Sequence, residues 1–153
     1  MEDPLAIVIK VAIVFLLIFV NAFFVAAEFA IVKIRGSRLD ALIQEGNRRA
    51  GYAKEIIDRI DVALSVTQLG ITLASLGLGW LGEPVVSALL HPLFSMFGLG
   101  GQLGETISFL LAFSLITAFQ IVLGELIPKN VAIHRVEGVM LSVAFPLVIF
   151  QRL

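Results

Sequence analysis

Six residues late in the chain, Gly124-Glu125-Leu126-Ile127-Pro128-Lys129, place an acid and a helix breaker at the end of an apolar run. Pro128 has no N–H, and its ring disturbs the carbonyl four residues back, that of Gly124. The expectation is a broken helix in which the Gly124 C=O lacks a partner and the Glu125 carboxylate stands beside it. A carbonyl and a carboxylate together at a helix break suit a hard cation. The competing reading is an ordinary helix end, with Pro128 as the stop and Lys129 as an interfacial anchor.

Two further places carry polar groups inside apolar runs, where they are costly and point to a site or pathway by default. The stretch Thr67-Gln68-Leu69-Gly70-Ile71-Thr72-Leu73-Ala74-Ser75-Leu76-Gly77-Leu78-Gly79 is dense in hydroxyls and glycines. Its side-chain oxygens and any loosened carbonyls are hard ligands, with Thr72 and Ser75 as candidates and Gln68 in support. The alternative is close helix packing, through the small-xxx-small pairs Gly70/Ala74 and Ser75/Gly79. Asn21 and Glu28, seven residues apart, lie near one face of an earlier helix. Glu28 is within about 8 Å of Lys33 along that helix, so it either belongs to a site or pairs with Lys33 or Arg35 at the interface. Lys10 snorkels outward. Glu28 and Glu125 would make a carboxylate pair only if the fold joined them, and nothing in the sequence does so.

The elements that must position these groups are membrane helices. Apolar residues make up 59% of the 153 and charged residues 15%, against roughly 45–50% and about 25% in soluble domains. Mean hydropathy is +1.01. A soluble fold with this composition would expose large apolar patches and aggregate. Spans of roughly 20 apolar residues are expected at 5–32, 62–82 and 106–127. Shorter runs at 85–99 and 139–150 are read as interfacial or re-entrant, or as extensions of neighbouring spans, with an interfacial helix at about 136–151. The start lacks the basic region of a signal peptide, and the end stops inside an apolar segment, so a piece of a longer protein is expected.

Residues 33–61 hold most of the lysine and arginine. The positive-inside rule places this loop in the cytoplasm. The segment 82–105 has neither residue and faces outside, as does the N-terminus. Within the basic loop a helical hairpin is expected over 37–60, with Ser37 as a cap, Gly46-Asn47 as a stop, and Ala53, Ile56, Ile57 and Ile60 on one apolar face. Its bases either meet solvent or sit near anionic headgroups. Cysteine is absent, which excludes disulfides and thiolate chemistry. His91 and His134 form no zinc-type pattern. No catalytic Ser/His pair or paired aspartates are visible, so an enzyme is not expected. The net charge of −1 offers no case for a nucleic-acid partner.

Three of these motifs resemble the transmembrane domain of the CNNM/CorC family, whose bacterial members carry an old hemolysin label. They are Asn21-Ala22-Phe23-Phe24-Val25-Ala26-Ala27-Glu28-Phe29-Ala30; Thr67 to Ser75 with Leu81-Gly82-Glu83-Pro84; and Glu125-Leu126-Ile127-Pro128-Lys129. They occur in family order and cover essentially the whole chain. The resemblance implies an all-α membrane domain of three spans with a juxtamembrane helical belt, forming a homodimer in the plasma membrane. It also implies a C-terminal cytoplasmic region, beyond this chain, with a CBS-domain pair that binds ATP.

The activity implied is Mg²⁺ export driven by Na⁺. The family's ion is held by first-span hydroxyls, a second-span asparagine and the Gly-Glu break of the third span. Gly124 and Glu125 match the last element, and Ser75 stands where the asparagine is expected. Ala26 and Ala27 stand where family members with the site have serines. Water is able to complete a Mg²⁺ shell, yet this departure leaves the ion's identity open, with Na⁺ and Mn²⁺ as alternatives. The second function class is a membrane anchor and dimerisation module for a cytoplasmic nucleotide sensor.

Overall fold

The computed structural model describes residues 3–98 and 100–153; Met1 and Glu2, and Leu99 at the end of the 85–99 run, lie outside the described residues. The described residues form helices and no strands. Helix α1 is Pro4–Lys33, α2 is Gly36–Gln44, α3 is Arg48–Asp58 and α4 is Ile60–Met96. Helix α5 is Gln102–Phe119, a π-helical turn follows at Gln120–Leu126, α6 is Ile127–His134 and α7 is Val136–Arg152. Among the described residues, three helical lengths are long and apolar enough to cross a membrane: α1, α4 and the continuous rod Gln102–His134.

Local chemistry explains most boundaries. Asp3 accepts the Leu5 N–H at 3.1 Å, and Pro4 occupies the first turn of α1, where its missing N–H costs nothing. Helix α2 enters through Arg35 without a side-chain cap, and Ser37, expected as the cap, lies inside the helix. The hydrophobic docking of Leu39 and Leu42 starts the helix earlier than the hydroxyl would. Gly46 then takes the left-handed φ of 86°, the usual helix exit. Asn47 Oδ1 accepts the Arg49 and Ala50 N–H groups at 3.0 and 3.4 Å and opens α3.

Helix α4 runs past the expected end at 82, through Pro84 and Pro92, to Met96. Its 37 residues reach about 55 Å, well beyond a hydrocarbon core of roughly 30 Å. The carbonyls opposite the prolines belong to Trp80 and Ala88, both exposed, so α4 absorbs the 85–96 part of the second apolar run without burying an orphan group.

Two apolar cores hold the bundle. Val14, Ile18, Leu78, Val85 and Ile116 join α1, α4 and α5. The larger core lies where the lower half of α1 meets the belt helices α2, α3 and α7, with Ala27, Ala30, Leu39, Ala53, Ile56 and Leu147 among its buried members. Close approach has a sequence cause at Gly70, where an added Cβ would fall within 2.5 Å of the Phe24 ring. Gly70 and Ala74 are buried, whereas Gly79 faces open space. Of the two small-residue pairs, only Gly70/Ala74 packs. Ion pairs fasten the belt at its edges, Arg38 to Glu137 and Arg152 to Glu55.

Candidate cation site

The third rod does not break at Pro128. It widens instead, one turn earlier. Over Gln120–Leu126 the ladder shifts to the π pattern, and the Ile127 N–H bonds the Val122 carbonyl five residues back. Pro128 follows within the same continuous rod, where its missing N–H leaves a carbonyl of the preceding turn without its intrahelical donor. Such π turns inside α-helices gather at functional places.

The Gly124 carbonyl, expected to be orphaned, has a partner from another helix. Asn21 of α1 donates from Nδ2 to Gly124 O at 3.0 Å. Asn21 is fully buried, with 0% exposure, so its amide could not be left unpaired without a cost of about 1–3 kcal/mol. Its Oδ1 accepts from Ser75 Oγ at 3.4 Å, and Ser75 Oγ accepts from Gln120 Nε2 at 2.8 Å. Every donor in this chain points toward Gly124 O. It ties α1, α4 and the π turn together. Glycine is required at its end, because a Cβ on Gly124 would meet Asn21 Nδ2 at 2.9 Å.

Glu125, one residue on, looks elsewhere. Itself exposed, it borders an open hollow of about 250 Å³ with half-buried Glu28, Phe29 and Ile71, buried Val25 and exposed Lys129. The fold thus unites Glu28 with Glu125, a juxtaposition the sequence left open. Neither carboxylate forms an ion pair among the described residues; Glu28 reaches neither Lys33 nor Arg35. Lys129 Nζ lies over the Phe29 ring, 4.8 Å from its centre.

Thr72 and Gln68 stand outside both groups. Both are exposed, and Thr72 Oγ1 donates to the Gln68 carbonyl at 2.8 Å within α4. A hydroxyl one helical turn from a carbonyl satisfies itself locally. Sequence reasoning missed Gln120, which a search for polar side chains within the third span would have found. It also missed Phe29 and the cavity role of Lys129, which no sequence signal announces. No group of three or more histidines or acids able to hold a metal exists among the described residues. Any cation here would rely on two carboxylates and water.

The family model "Cyclin M transmembrane N-terminal domain" matches residues 12–153. The chain belongs to the CNNM transmembrane family. Among its relatives, UPF0053 protein YugS of Bacillus subtilis is 47% identical over 146 residues, covering 95% of this chain and 34% of that protein. UPF0053 protein YhdT of the same organism is 53% identical over 137 residues, 90% of this chain and 30% of that one. An uncharacterized protein of Mycobacterium tuberculosis, Rv1841c, is 36% identical over 143 residues, 94% of this chain and 40% of that one. The chain therefore spans about a third of the length of its Bacillus relatives. CNNM membership and three apolar helices make this a multi-pass membrane domain.

Proposed function

We propose that this domain carries a divalent cation across the plasma membrane, with Mg²⁺ as the cargo, exported and coupled to inward Na⁺. One observation carries the reading: Glu28 and Glu125 border a single cavity without an ion pair among the described residues, beside the π turn of the third span. Two acids against one base, Lys129, leave the cavity a net negative charge, which favours a positive ion. Glu125 and Glu28 would supply charged oxygens. Asn21, Ser75 and Gln120 would fix the π turn that carries Glu125. The ion would exchange part of its water shell for protein oxygen and pass by alternating exposure of the cavity to the two sides. The orientation proposed puts the N-terminus outside and the basic 33–61 hairpin in the cytoplasm. A homodimer and an ATP-binding CBS region would complete the transporter.

The test is Mg²⁺ flux in proteoliposomes. Glu125→Ala is expected to reduce it to background while the protein remains folded and monodisperse. Wild-type flux from that variant would refute the site.

A second reading is an anchor and dimerisation module for a cytoplasmic nucleotide sensor. It is supported by the bond from Asn21 that already engages the Gly124 carbonyl, and by the absence of unsatisfied buried side-chain polar atoms among the described residues. Thermal unfolding separates the two, because a ligand that binds the folded form raises its stability. No stabilisation by millimolar Mg²⁺, Mn²⁺ or Na⁺ would favour the anchor.

A further inference from the structure

Lys129 follows Glu125 by four residues, the spacing at which a glutamate and a later lysine normally pair on a helix. They do not pair here. The ammonium rests on the Phe29 ring at 4.8 Å, and Phe29 directly follows Glu28 in α1. Both carboxylates, the ring and Lys129 border the same cavity. A long flexible stem lets the ammonium move between the ring and the acids by rotamer changes alone. The ring face holds a cation without needing a counter-ion.

We propose that Lys129 is a tethered competitor for the transported cation, moving between the Phe29 ring and the Glu28/Glu125 carboxylates. This rests on reading the cavity as the cation site. When a divalent cation occupies the carboxylates, like charge drives the ammonium onto the ring. When the cation leaves, the ammonium neutralises part of the negative charge left behind. Transport needs binding strong enough to load and weak enough to release. An internal cation lowers affinity and assists release in one step.

The experiment uses the full-length protein in detergent, titrated with MgCl₂ and read by thermal unfolding. Lys129→Met is expected to tighten apparent Mg²⁺ affinity about tenfold, since a positive charge near the site is removed, and to slow turnover in proteoliposomes. Lys129→Arg should retain wild-type affinity. Phe29→Leu removes the ring position and should weaken Mg²⁺ binding. Opposite shifts from two cavity variants cannot come from general loss of fold. Should Lys129→Met not fold, Lys129→Gln replaces it with the same expectation. Unchanged or weaker affinity on neutralising Lys129 overturns the proposal. A plain interfacial anchor would lower the unfolding temperature without moving the Mg²⁺ midpoint. Glu125→Ala run alongside tells the two ideas apart. If it still binds Mg²⁺, the cavity reading fails; if it loses Mg²⁺ and Lys129→Met does not tighten, only the competitor fails.

Discussion

Glutamates of the belt and glutamates of the cavity are treated in opposite ways. Glu137 accepts Arg38 Nε at 2.8 Å and Nη2 at 3.3 Å, and Glu55 accepts Arg152 at 2.9 Å on both oxygens. Among the described residues Glu28 and Glu125 have no such partner, although Lys129 is one turn from Glu125. Belt acids fasten α7 to α2 and α3 at exposed edges, where ion pairs add little stability. Cavity acids lie inside candidate membrane spans, where leaving a charge unpaired costs far more. A shortage of bases does not explain the difference. What sets the cavity acids apart is their setting: Lys129 rests on the Phe29 ring, and Glu125 rides on the π turn that the Asn21 chain ties to α1 and α4.

Breaking that chain should have the largest effect. Asn21→Ala leaves the Gly124 carbonyl and the Ser75 hydroxyl short of a partner in a buried place, and is expected to cost about 1–3 kcal/mol of stability. The unfolding temperature should fall with and without Mg²⁺. Released from α1, the π turn would no longer hold Glu125 at the cavity it shares with Glu28. An unchanged unfolding temperature would show that the chain holds nothing.

The next effect separates the two sets of acids directly. Glu28→Gln keeps the shape of the side chain and removes one of the two negative cavity charges, so apparent Mg²⁺ affinity should fall about tenfold. Glu137→Gln, made in parallel, should leave the Mg²⁺ midpoint where it was. Equal effects from the two variants would mean that Mg²⁺ acts on surface charge and not in the cavity.

The spans were legible because burial in lipid demands long apolar runs, which hydropathy reads directly. The Gly46 exit was legible because it follows from one residue's own backbone freedom, whereas Asn47, read only as part of that stop, also caps α3. The length of α4 was not, since prolines at 84 and 92 look like stops until the surroundings of Trp80 and Ala88 are known. In the site, Pro128 correctly marked a disturbed ladder, but not its form. A π turn and a broken helix leave the same trace in sequence, and only contact with Asn21, 103 residues away, decides what becomes of the Gly124 carbonyl. Glu28 and Glu125 illustrate the same limit: each is visible alone, and their shared cavity is a property of helix rotation.

The smallest effect lies in the belt and concerns pH. The Arg38 guanidinium, by hydrogen bonding and by its charge, holds the Glu137 carboxyl below its ordinary value of 4.5, and Glu137 raises the Arg38 value in return. A carboxyl whose folded value is depressed binds protons more readily in the unfolded chain, so acid favours unfolding. The contribution is complete above the ordinary carboxylate value and is lost as the pH falls through the lower, folded one. Both side chains are half exposed, at 51% and 41%, and solvent and salt screen them. The unfolding temperature of Glu137→Gln should therefore converge with that of the parent as the pH drops below 4.5, and the gap at neutral pH should shrink in high salt. A gap that widened in acid would mean that Glu137 stabilises the belt in its protonated form, and the contrast between paired and unpaired glutamates would lose its belt half.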